Sequence, residues 1–118
     1  MFEERLEIVA RRLQDVRLVA LVAADGIPVE THSGDDELDV DVLAAELLTQ
    51  VRSIADNHGD LAMGSVRQLS IVTEQKTLML GALAGGYYLL VVLGGAASFG
   101  RARFELRRAP LAFDSDLE

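Results

Sequence analysis

The chain has 118 residues, half of them apolar and a quarter charged, with a formal net charge of −8 and no cysteine. That length makes one domain around one core, and that composition is globular, not disordered. The missing cysteines exclude disulfides and thiolate metal sites and fit a reducing cytoplasm, while the acidic balance argues against nucleic acid or an anionic membrane surface as a primary partner.

The opening MFEERLEIVARRLQ is amphipathic and charged, so it does not read as a signal peptide. Phe2, Leu6, Val9, Ala10 and Leu13 fall on one helical stripe, with Glu3, Glu4 and Glu7 early and Arg11 and Arg12 late, as the helix dipole favours. Residues 18–24 form a short apolar run, expected to be a strand covered on both faces. Asp25-Gly26 is a hairpin signal, and the alternation over 27–32, with Pro28, predicts an edge strand.

A polar loop then leads to a long helix over 39–57, stopped by Gly59. Val40, Leu43, Ala44, Leu47, Leu48, Val51, Ile54 and Ala55 share one arc, and Val42 and Ala45 fall outside it. Residues 66–74 predict a strand of mixed polarity, followed by a short turn at Gln75-Lys76.

The run 77–100 carries no charge. As one helix it is long enough to cross a bilayer, which takes about 20 apolar residues. Gly85-Gly86 interrupts it, and paired glycines weaken a helix interior while supplying the positive φ angles of a tight turn. Tyr87-Tyr88 and Val91-Val92 also suit a pleated surface, so the expectation is a hairpin of strands 77–84 and 87–93. Ser98 can cap a last helix carrying Phe99, Ala102 and Leu106 on one face, with Pro110 ending it. The domain is thus expected over 1–110, with 111–118 as an acidic, flexible tail.

Two-faced strands belong in the middle of a covered sheet and mixed ones at its edges. The fold class is therefore α+β, a five-stranded antiparallel sheet with helices on both faces in the order α-β-β-α-β-β-β-α. The 66–74 strand lies at one edge.

No motif carries chemistry. Gly94–Gly100 follows a strand and opens a helix, as a phosphate loop does, but Arg101 stands where the lysine would be and no Ser/Thr follows. A close-packed turn explains it better. His32 and His58 have no ligand partner at metal spacing. Asp35, Asp36, Glu37, Asp39 and Asp41 lack calcium-loop spacing and read as negative charge at a helix N-terminus. Ser33 and Ser98 have no nucleophile's partners. Arg101, Arg103, Arg107 and Arg108, interleaved with Glu105, read as a solvated helix face, or else as a contact for an acidic partner or an arginine finger. No catalytic residue, cofactor or metal is assigned.

The segments LVALVAADGIPVETHSG (18–34), GSVRQLSIVTEQKTLMLGALAGGYYLLVVL (64–93) and ASFGRARFELRR (97–108) resemble the Roadblock family of dynein light chains and its bacterial MglB-like members. The resemblance implies a homodimer in which the edge strand at 65–74 pairs with its twin and the long helices meet across the two-fold axis. It implies a regulator or scaffold for a small Ras-like GTPase, and MglB-like members act as GTPase-activating proteins without donating an arginine finger. The expected dimer interface is Val66, Gln68, Leu69, Ser70, Ile71 and Val72 with Leu43 and Leu47. Gln50, Arg52, Asp56 and Asn57, on the polar side of the long helix, are the candidate partner-binding residues. The function expected is a noncatalytic homodimeric GTPase binder. The alternatives are a GTPase-activating protein or a small-ligand sensor with the related profilin-like layout. An exposed Leu69–Val72 edge is an aggregation hazard unless paired, and Ile71→Pro is the substitution expected to break that pairing.

Overall fold

The computed structural model describes residues 2–33, 37–57 and 64–117. Helix α1 (Glu3–Arg11) leads into strands β1 (Val16–Val22) and β2 (Pro28–Ser33). Helix α2 (Val40–Asn57) follows, then β3 (Gln68–Val72), β4 (Thr77–Ala82), a 3-10 turn over Ala84–Gly86, β5 (Tyr88–Leu93) and helix α3 (Phe99–Leu117). All neighbouring strands are antiparallel, in the order β2-β1-β5-β4-β3, so the mixed strands sit at the edges and the two-faced ones in the middle, as burial logic requires.

The alternation of each central strand divides the core into two. Val19, Leu21, Met79, Leu89, Val91 and Leu93 face α1 and α3, where Leu6, Val9, Ala102, Leu106 and Phe113 meet them. Leu18, Ala20, Val22, Leu80, Leu90 and Val92 face α2, meeting Ala44, Leu47, Leu48 and Val51. Val42 and Ala45 are exposed, as their place outside the α2 arc predicts.

The charge-free run folds as the β4–β5 hairpin. Gly85 and Gly86 turn it with φ of 69° and 79°, and Leu83 N–H donates to Tyr87 O at 2.8 Å. Among the described residues no helix is long and apolar enough to cross a membrane. The Gln75-Lys76 turn closes without glycine because the Thr73 hydroxyl substitutes for a special backbone. It accepts from Lys76 N–H at 3.1 Å and donates to Lys76 O at 2.9 Å.

Helix ends follow the sequence signals at two places. The Asp39 carboxylate accepts from Val42 N–H at 3.2 Å, and the Ser98 hydroxyl accepts from Arg101 N–H at 3.2 Å. At its other end α3 departs from expectation. Pro110 does not end it: the helix continues to Leu117 with Pro110 inside. Proline removes one internal hydrogen bond, but Ala109 and Phe113, on either side of it, are 4% and 0% exposed. Burial thus outweighs the local penalty, and the stretch expected to be a tail packs on the core. Phe113 stacks on Phe2 with ring centroids 6.2 Å apart, and Ala84 N–H donates to the Asp114 carboxylate at 2.9 Å. Phe99, expected on the buried face, is 40% exposed under the guanidinium of Arg103.

Candidate functional site

Strand β3 ends the sheet, so one side of its backbone pairs with nothing among the described residues. Which residues present that free side follows from the hydrogen bonds just beyond the strand. Ala82 N–H donates to Arg67 O and Thr73 N–H to Lys76 O, both at 2.8 Å. The register runs Gln68↔Gly81 to Val72↔Thr77, and antiparallel pairs alternate between hydrogen-bonded and non-hydrogen-bonded. Leu69 and Ile71 therefore turn their amides inward to β4. Gln68, Ser70 and Val72 turn theirs to the open edge. The Ile71→Pro expectation is corrected accordingly: it would cut the chain's own hairpin, and the edge donor is Ser70.

The side chains of the expected interface divide between the two sheet faces. Val66, Leu69, Ile71 and Leu43 lie half-buried against the α2-side core, where the chain covers them only in part. Leu47 is 4% exposed and belongs to that core itself. Ser70 and Gln68 lie on the other face, Ser70 across from Met79 and Gln68 with its amide reaching Arg103 O at 3.4 Å. Val72, also on that side, is 66% exposed.

On α2, Gln50 and Arg52 are exposed. Arg52 is not a loose cation: its guanidinium donates to Ala24 O at 2.6 Å and ties the helix to the β1–β2 turn. The side chains of Asp56 and Asn57 fall outside the described residues, as do His58, Gly59, Asp35, Asp36 and the side chain of Ser33. Ser98 is occupied as a helix cap, and His32 is half-buried on the edge strand β2. Among the described residues no cluster of three His, Cys, Asp or Glu could hold a metal ion.

The glycine-rich turn holds an anion of its own. Asp15 takes φ of 51°, and its carboxylate accepts from Ala96 N–H at 3.0 Å and from Arg17 Nε at 2.9 Å, while Gly94 N–H donates to its carbonyl at 2.8 Å. The Ala96 amide first, then Arg17, holds this carboxyl below the usual carboxylate range. A Cβ at Gly94 would come within 2.3 Å of Asp15 Oδ2, so the glycine is required by that contact. The turn thus receives an internal carboxylate where a phosphate loop would receive its ligand. Sequence pairing of Asp15 with a turn 80 residues away had no local signal.

Glu105 was the other residue missed. It is 2% exposed, with Arg12, Arg108 and Arg101 at 3.6, 3.7 and 3.9 Å from its oxygens. Its spacing from Ala102 and Ala109 places it on the buried side of α3, a signal the periodicity contained. Arg101 Nε also donates to Arg12 O at 3.2 Å, so this arginine is engaged within the chain.

Solved structures share this architecture across nearly the whole chain. A Roadblock/LC7 domain from Streptomyces avermitilis superposes with a TM-score of 0.82 at 20% identity, covering 98% of this chain and 96% of that one. The gliding protein mglB from Thermus thermophilus gives 0.86 at 17% identity, covering 95% and 84%. MglC from Myxococcus xanthus gives 0.71 at 29% identity, covering 98% of both chains. No protein-family model and no curated protein matches. The fold is the Roadblock fold.

Proposed function

We propose that this chain is a noncatalytic homodimer that regulates or scaffolds a small Ras-like GTPase. The reading is carried by the β3 edge, where three outward amides adjoin half-covered Val66, Leu69, Ile71 and Leu43 on a fold shared with MglB and MglC structures. An unpaired, partly apolar edge is a template for a further strand, and two-fold pairing with its own copy closes it without leaving a new edge. The dimer would then bring two copies of the polar side of α2 together. A stable complex buries roughly 800 Å² per partner, which one helix does not offer and a composite surface could. Arg52 and Gln50 are the residues proposed to meet the GTPase, with Asp56 and Asn57 beside them in sequence.

Arg101 already bonds Arg12 O and lies against Glu105, which argues against an arginine finger; activation without a finger, as the resemblance to MglB implies, is the alternative to the noncatalytic form. Multiple-turnover GTP hydrolysis by the GTPase, with and without saturating protein, separates the two. An unchanged rate with measurable binding is expected. A large acceleration would establish activation instead.

A further inference from the structure

On the face of the sheet opposite α2, helices α1 and α3 run antiparallel. Arg5 of α1 pairs with Asp116 near the end of α3, and Arg12 reaches Glu105 near its start. Between them lies a groove of about 400 Å³ whose walls include Arg5, Ile8 and Arg12 from α1 and Arg108 and Leu111 from α3, with Glu105 at its floor. Both helices alternate arginine with an apolar residue at helical spacing: Arg5, Ile8 and Arg12 on α1, and Arg108 and Leu111 on the α3 wall, with Arg101 and Phe104 continuing that stripe along α3 beyond the groove's lining. The apolar members are open to solvent, at 44% for Ile8, 53% for Phe104 and 90% for Leu111.

The charge here opposes that of the chain. Four guanidinium groups, on residues 5, 12, 101 and 108, face two carboxylates, Glu105 and Asp116, in a chain of net charge −8. Glu105 gathers three of them without hydrogen-bonding any. Its ion pairs span 3.6 to 3.9 Å, beyond the 2.7–2.9 Å of a charge-assisted bond, and its Oε1 is buried without a hydrogen-bond partner among the described residues. The arginines therefore keep N–H groups with which to meet another carboxylate.

We propose that the α1–α3 groove docks an acidic amphipathic helix of a partner protein. The apolar face of that helix would lie on Ile8, Phe104 and Leu111, and its flanking Asp and Glu would meet Arg5, Arg12 and Arg108. The stripe on α3 spans eleven residues, roughly 15 Å from first to last, which matches about three turns of a docked helix. The groove lies across the sheet from α2, so this contact does not rest on the GTPase reading.

The test displays a library of helices of about 14 residues, spanning the stripe, with leucines fixed at i, i+3 and i+4 spacing and the polar positions randomised. The whole chain is the bait. Enriched clones should be acidic, should bind less well as ionic strength rises, and should lose at least about tenfold in affinity to Leu111→Glu and to Ile8→Glu. Both variants should melt as wild type does, because the substituted side chains reach solvent. Neutral or basic winners, no enrichment, or indifference to both variants would each overturn the proposal. So would sedimentation showing that wild type forms assemblies above the dimer that Leu111→Glu dissolves, since a second copy would then be the occupant.

Discussion

Ser70→Pro tests the edge of β3 without touching the hairpin behind it. Proline removes a backbone donor, and at position 70 that donor faces outward, so the β3–β4 ladder keeps all its bonds. Leu69 is already in extended conformation, which proline demands of the residue before it. In a two-fold dimer the substitution occurs twice. At a net of about 1 kcal/mol for each lost hydrogen bond, the dimer weakens by about 2 kcal/mol, or about 30-fold in dissociation constant. Ile71→Pro serves as the contrast. It removes an inward donor, so it should lower the melting temperature of the monomer itself. Sedimentation velocity over a concentration series reads the first effect, and thermal melts monitored by circular dichroism read the second. A Ser70→Pro protein that stays folded and dimerises as tightly as wild type would refute the assignment of this edge to the interface.

Further expectations come from single contacts. Gly94→Ala drives a methyl into the Asp15 carboxylate and should cost about 1–3 kcal/mol in denaturant unfolding. Because the folded-state pKa of Asp15 is lowered, its contribution is present above the unfolded value of about 3.9 and is lost as pH falls towards the folded one. Asp15→Asn should therefore flatten the acid limb of stability against pH, and an unchanged limb would remove Asp15 as its source. Phe113→Ala empties a fully buried site and should destabilise by about 3–5 kcal/mol in the same assay. Arg52→Glu should weaken GTPase binding in calorimetry while leaving the dimer intact, and unchanged affinity would exclude Arg52 from the contact.

Most of the fold was legible because its signals are periodic. The stripe of α1, the arc of α2 and the two-faced strands each state a burial pattern, and the observed sheet order follows from placing mixed strands at the edges. Gly85-Gly86 decided between a membrane span and a hairpin through backbone conformation alone. The C-terminal boundary was not legible, because Pro110 is a local stop signal that the burial of Phe113 overrides. The site was only partly legible. Sequence placed Leu69 and Ile71 on the edge strand but could not say which amides face outward, since that depends on the register of the Thr73–Lys76 turn. Asp15 owes its role to a contact across the fold, with Ala96, that leaves no local trace, whereas the burial of Glu105 was legible in the α3 periodicity and only its pairing with Arg12 was not.

The most direct test of the proposed function is calorimetric titration of a Ras-like GTPase from the same cell into wild type and into Ser70→Pro at concentrations where only wild type is dimeric. Specific binding to wild type and at least about tenfold weaker binding to the folded monomer is the predicted result. Equal affinity for both would contradict a site assembled by the dimer, and no binding to wild type in either nucleotide state would contradict the function itself.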